Sequence, residues 1–207
     1  MSRRLYLVCA QALAVMIGSV IAPSSAGAQQ RPTYLPTRDV VITYRVTGRA
    51  ARDMRQLVVR FTAATQRIRV ETDDQTIGYL LVDPRARTAR MVVPSVGQYV
   101  DLPLGRDRRA AMLFSDRLNF TRRGTSRLVG LACNQWDVQG GRDSARACIT
   151  EDGVILRAEG RGGDVAGSRM EATRVDFMTQ PGRLFDVPQG TGGLNVQDFL
   201  RPLLRPN

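Results

Sequence analysis

From Asp39 to Phe177 the sequence alternates apolar and polar residues in short runs, most of them closed by a proline or a glycine. Period-two alternation puts successive side chains on opposite faces of a strand, and runs this short do not make helices of ordinary length. Short connections between such runs make neighbouring strands antiparallel. The stretch from Thr76 to Leu104 sets the pattern: Thr-Ile-Gly-Tyr-Leu-Leu-Val-Asp-Pro, then Arg-Thr-Ala-Arg-Met-Val-Val-Pro, then Gly-Gln-Tyr-Val-Asp-Leu-Pro. It reads as a three-stranded meander. The same reading over the whole chain predicts a mainly β protein of about ten or eleven strands with one short helix.

The individual strands predict a sheet with one apolar and one wet face. Strand one, Asp39 to Thr47, groups Val40, Ile42, Tyr44 and Val46. Strand two, Met54 to Ala63, groups Leu57, Val59, Phe61 and Ala63 and turns Val58, Arg60 and Thr62 the other way. In strand three Ile68 and Val70 point inward and Arg67, Arg69 and Glu71 outward; Leu80, Val82, Met91 and Val93 continue the inner face. From Arg106 to Leu118 the period changes, with Ala110, Leu113, Phe114 and Leu118 at helical spacing, so a short amphipathic helix is expected across one opening of the sheet. In the last long strand, Ser168 to Phe177, Met170 and Ala172 share a face while Val175 and Phe177 are offset as if past a bulge. Leu184-Phe185 reads as a closing plug. Residues 38–189 are expected as a single β domain, 29–37 as a flexible lead-in and 190–207 as a loosely attached tail.

One hairpin is specified in more detail. Leu131 to Gln139 and Arg142 to Thr150 flank Gly140-Gly141, a pair suited to a tight two-residue turn. Counting outward from that turn, residue 139 faces 142 and Cys133 faces Cys148, a separation a disulfide can bridge. A metal site would need further ligands and redox chemistry favours a C-x-x-C spacing, so a structural disulfide is the expectation.

The first 28 residues read as a secretory signal peptide: Arg3 and Arg4, an apolar run from Leu5 to Ala22, and a small-residue exit ending at Ala28. A membrane anchor is the competing reading; the small-residue exit favours cleavage and an exported, periplasmic protein. The 30 basic residues are all arginine, against 19 carboxylates, for a net charge of +11. They are spread along strands and turns rather than clustered, which reads as a solvated basic surface and not as a nucleic-acid interface. There is no histidine. That removes the commonest general base and metal ligand together and rules out Ser-His-Asp and Cys-His catalysis. Adjacent acids such as Asp73-Asp74 and Glu151-Asp152 point to opposite faces of a strand and are better explained as turns. No catalytic residue, metal site or cofactor is indicated.

Several segments carry a resemblance: Tyr79-Leu80-Leu81-Val82-Asp83, Met91-Val92-Val93-Pro94 with Tyr99 after it, Gly130-Leu131-Ala132-Cys133 with Trp136, and the ending Leu184-Phe185-Asp186-Val187-Pro188. Together they resemble an exported bacterial family of unknown function that is similar in fold to the periplasmic lipoprotein carriers LolA and LolB. The resemblance implies an incomplete β-barrel, a strongly curved sheet with a helix over its mouth and a concave face able to hold acyl chains. On that reading Leu57, Val59, Phe61, Ile68, Val70, Leu80, Val82, Met91, Val93 and Met170 line the face, with Leu113 and Phe114 on the lid. The expected function is non-enzymatic binding of a lipid or other apolar ligand, with lipid or lipoprotein acyl chains as partner. The alternative is a structural or interaction protein of the envelope. Its apolar face would be core, and Arg60, Arg67 and Arg69 would meet an anionic membrane surface or an acidic envelope protein.

Overall fold

The computed structural model describes residues 31–49, 55–74, 76, 78–102 and 118–194. The expected signal peptide, lid residues Leu113 and Phe114 and the end of the tail lie outside them. Twelve strands form one sheet: β1 Val40–Gly48, β2 Gln56–Thr62, β3 Arg67–Thr72, β4 Tyr79–Asp83, β5 Thr88–Val93, β6 Gln98–Leu102, β7 Asn119–Leu128, β8 Leu131–Gly140, β9 Asp143–Ile149, β10 Ile155–Gly162, β11 Ser168–Asp176 and β12 Gly192–Leu194. Their order is β12-β6-β5-β4-β3-β2-β1-β11-β10-β9-β8-β7. Two antiparallel meanders, β1 to β6 and β7 to β11, are therefore joined by the pairing of β1 with β11, and the sheet is open, with β7 and β12 at its edges. The strand beyond the expected count is β12, which pairs parallel with β6.

The sheet curls. Val40, Ile42 and Tyr44 of β1 and Phe61 of β2 share a buried cluster with Cys133 of β8 and Cys148 of β9, although two strands separate β1 from β9 and three separate it from β8 along the sheet. Only a strongly curved sheet brings those strands face to face. The bulge expected in β11 lies opposite Thr43 and Tyr44, whose partners jump from Arg174 to Ala172, and Thr173 Oγ1 donates to Thr43 O at 3.1 Å. The chain bends there, where its two halves meet.

The disulfide forms, with Cα atoms 5.4 Å apart, but the register derived from the turn was off by two residues. Gly140 belongs to β8 and pairs with Asp143, and the turn residues are Gly141 and Arg142, so Cys148 stands opposite Gln135. A two-residue slip keeps every side chain on its face, which is why the cysteines still meet. Gly141 takes the positive φ, 61°. The register is selected from outside the hairpin: Asp143 Oδ1 accepts the backbone N–H of Asp164 at 2.8 Å, and a Cβ on Gly163 would stand 2.1 Å from that same oxygen.

The described part of the lead-in and the segment after β11 both make defined contacts. In the lead-in, Tyr34 stacks on Phe120 with ring centroids 5.9 Å apart, and the Thr37 N–H donates to Asp152 O at 2.9 Å. Phe120 meets Trp136 edge-on at 6.3 Å, so Trp136, 4% exposed, is core on the outer side of β8. At the other end Asp39 accepts the backbone N–H groups of Ala63 and Gln180, each at 2.7 Å, fixing the segment after β11 beside the β2–β3 turn. Replacing both Cys133 and Cys148 by serine is expected to lower the unfolding free energy by about 3 kcal/mol for a closed loop of this size, read from the urea midpoint together with a slope that does not fall, since the unfolded chain becomes less compact. A loss below about 1 kcal/mol would contradict the place given to the bridge in the core.

Candidate functional site

Directly opposed residues of paired strands share a face of the sheet, and the observed register strings the predicted lining into two rows. Ile42 pairs with Val59, Val59 with Val70, Val70 with Leu80, Leu80 with Met91, Met91 with Val100, and Val100 with Leu194. Beside it run Val40, Phe61, Ile68, Val82, Ala89 and Leu102. Leu57 opposes Tyr44 and Met170 opposes Val46. Of the predicted residues only Phe61, 1% exposed, and Val82, 7%, are buried. Leu57, Val59, Ile68, Val70, Leu80, Met91, Val93 and Met170 are all half-buried.

The sequence reasoning missed Val100, Leu102, Ala89 and Leu194, which carry the apolar surface on to the β12 edge. Leu102 and Leu194 are each 38% exposed. Val100 and Leu102 alternate in Gln-Tyr-Val-Asp-Leu and were findable. Leu194, after two glycines, was not.

The opposite face is not simply wet, and here the expectation is corrected. Tyr79, Leu81 and Val92 point away from the rows yet are buried, with Tyr99 and Val187 packed against them. The segment after β11 lies over them: Leu184 O accepts Arg69 Nη1 at 3.1 Å, and Phe185 is 4% exposed. Leu184-Phe185 is thus a plug, but on the outer face. Two arginines join this cover as stacked cations, Arg69 at 3.4 Å from the Tyr79 ring centroid and Arg90 at 5.2 Å from that of Tyr99.

Charge on that face is paired across strands. Glu71 receives Arg60 and Arg69 at 3.3 and 2.7 Å. Arg67 reaches Asp83 at 3.3 Å and Asp186 at 2.8 Å. Asp137 holds Arg123 and Arg146 at 2.6 and 2.8 Å, and Glu171 holds Arg157 at 2.7 Å and also Arg169. Arg60, Arg67 and Arg69, considered above as contacts for an anionic surface, are all internally engaged. Three carboxyls are held below the usual range: Asp137 through Arg146 and then Arg123, Glu171 through Arg169 and then Arg157, and Asp83 first through the Ala86 N–H. Depressed carboxylates of this kind are ill suited to act as general acids. Burial raises the Tyr44 hydroxyl far above its ordinary value, and that hydroxyl donates to Ile155 O at 2.8 Å.

Two clefts open elsewhere. One of about 560 Å³ lies between the ends of β1 and β2 and is lined by Arg45, Arg55, Gln56, Asp73 and Thr173 among others. The other, about 330 Å³, lies between the lead-in and β8–β9. Among the described residues no group of three or more histidine, cysteine or acidic side chains is placed to hold a metal ion.

Against this geometry the comparisons with known proteins can be set. No protein-family model matches the sequence, and no curated protein sequence matches it. Solved structures do. An uncharacterised conserved protein from Thermus thermophilus is similar over 76% of this chain and 90% of its own, at 14% identity and a TM-score of 0.51. MucB, in a Pseudomonas aeruginosa complex of MucA and MucB, covers 73% of this chain at 10% identity and a TM-score of 0.45, and the present chain spans just over half of it, 56%. A LolA superfamily protein from Nitrosomonas europaea covers 74% of this chain and 92% of its own, at 10% identity and a TM-score of 0.35. Of these three only the first exceeds a TM-score of 0.5, and at its identity it establishes a shared fold.

Folded carboxyl pKa values below the ordinary value of about 4 contribute stability that is fully present above that value and is lost as pH falls through the folded values. The urea midpoint should therefore be level from pH 7 to about 5 and fall below about 4. In Asp137→Asn the midpoint should be lower at pH 7 and the acid-side fall smaller. A midpoint that rises on acidification would contradict the pairing.

Proposed function

We propose that this protein is a non-enzymatic binding protein for a lipid or other apolar ligand, which it holds along the two apolar rows of its curved sheet. The observation that carries the reading is an inversion of cover. On the face expected to be wet, Tyr79, Leu81 and Val92 are covered by the segment after β11, with Val92 at 0% exposure, while on the inner face the row Val59, Val70, Leu80, Met91, Val100 and Leu194 is left half-buried or exposed. Monomeric soluble proteins rarely present a contiguous apolar patch of this extent unless it meets a partner or ligand.

The dimensions suit a chain-like ligand. Seven strands at roughly 4.8 Å spacing give the longer row a path of about 29 Å, about twice the depth of one leaflet's hydrocarbon, roughly 15 Å. The row holds no charged and no hydrogen-bonding side chain, so it would select by apolarity and length rather than by headgroup. Met91 and Met170 add unbranched side chains that repack around irregular chains. The disulfide supports an oxidising, exported location. The alternative, an envelope protein whose apolar face is its own core, has less support, because the cluster at Val40, Phe61 and Leu156 is already packed without Val70, Leu80 or Met91.

An aspartate in the longer row should break ligand contact without unfolding the protein, because the substituted sites are half-solvated. Val70→Asp and Met91→Asp are each expected to weaken uptake of a fluorescent long-chain fatty acid by about tenfold or more, equivalent to 1.4 kcal/mol, with the far-ultraviolet spectrum unchanged. Undiminished uptake by a folded Val70→Asp variant would sink the assignment.

A further inference from the structure

Arginines on the sheet faces are engaged and arginines on one rim are not. Arg45, Arg49, Arg55, Arg142 and Arg161 are exposed, and none has a carboxylate at ion-pair distance among the described residues. All five belong to the same end of the sheet. Arg45 opposes Gln56 near the close of β1, and the Val46 N–H donates to Arg55 O at 2.8 Å. The Arg49 N–H donates to Gly167 O at 3.0 Å, and the Gly167 N–H to Gly160 O at 3.2 Å, placing the β1 end against the β10–β11 connection that follows Arg161. A Cβ on Gly162 would stand 3.8 Å from Arg142 O, which brings in the β8–β9 turn. The arc runs from β2 through β1, β11 and β10 to β9, about 19 Å at roughly 4.8 Å per strand.

We propose that this rim docks the protein on an anionic bilayer surface. Each guanidinium carries five N–H donors matched to phosphate oxygens, and juxtamembrane arginines are drawn to an anionic leaflet. The array is spread along strand ends and turns instead of converging on one pocket, as suits laterally mobile headgroups better than a single small anion. The cleft of about 560 Å³ between Arg45 and Arg55 gives one headgroup a seat within the arc. The rim's carboxylates do not close the array. Asp74 accepts from the Thr76 hydroxyl and N–H and Asp143 from the Asp164 N–H; with Asp73 and Asp164 they set four carboxylates against five arginines, none at ion-pair distance among the described residues, and Glu171 opposite Arg45 is held by Arg157 and Arg169. The inference does not depend on the apolar face carrying a ligand.

Vesicle co-flotation of the protein as purified from the envelope tests it, with phosphatidylglycerol–phosphatidylcholine vesicles against phosphatidylcholine alone. Binding is expected to the anionic vesicles only and to weaken at least tenfold from low to 0.3 M salt, as screening shortens the reach of each charge. The triple variant R45Q/R49Q/R55Q should bind at least tenfold more weakly. R183Q, which removes an exposed, unpaired arginine beside the start of β3, should bind within twofold of the unaltered protein. Three results would overturn the proposal: a triple variant that binds undiminished, an R183Q variant that loses a third as much on a logarithmic scale (net charge alone), or capture of polyglutamate with no affinity for the vesicles, which would mark an acidic protein partner.

Discussion

Everything in this architecture depends on one pairing between distant parts of the chain. β1 lies between β2 and β11, with eight registered positions against β11 that run from Val41–Asp176 to Gly48–Ser168. Without it the two meanders would be separate sheets with twice as many open edges. With it, the hydrogen-bonded sheet runs unbroken and curls until β8 and β9 face β1 and β2, and the cluster around Phe61, Leu156 and the disulfide closes one side of the curve. In the remaining half, β3 to β6 with β12, Ile68 still packs on that cluster and Val82 and Ala89 are buried, but Val70, Leu80, Met91 and Val100 stay half-buried. The half-exposed apolar surface is a consequence of where the curl stops.

Charge is organised by the same geometry. Antiparallel pairing puts arginines and carboxylates on the outer face at cross-strand distance, and single carboxylates take two arginines each at Glu71, Asp137 and Glu171. A chain with 30 arginines and 19 carboxylates carries a surplus of positive charge. The surplus is displaced to the strand ends, where Arg49 and Arg142 follow or precede their strands and Arg161 sits at the β10 bulge between Gly160 and Gly162. Ladder pairing on the faces and spare cations on a rim are thus two results of one composition.

The strands and their inner face were legible because alternation is a local signal. Ile68 and Val70, Leu80 and Val82, and Met91 and Val93 all fell on the side assigned to them. The pairing of Cys133 with Cys148 was legible for the same reason, although the register was not: either glycine of Gly140-Gly141 suits a turn, and the choice is made by Asp143 reaching Asp164 some 21 residues away. The covering of Tyr79 and Val92 was hidden because it depends on where Leu184 to Val187 dock after the sheet has formed. β12 was hidden because Gly-Gly-Leu has no strand propensity and is held by backbone pairing with β6. The expected helix through Leu113 and Phe114 falls outside the described residues, apart from its last member, Leu118, which packs beside Phe120 and Trp136.

The central claim is that the half-exposed row from Val59 to Leu194 is a binding surface and not unfinished core. Native mass spectrometry of the protein purified without detergent or delipidation, followed by solvent extraction, tests it most directly. The account predicts a co-purifying phospholipid or acyl species in near-stoichiometric amount. A clean apo mass, with no uptake of added lipid, would contradict it.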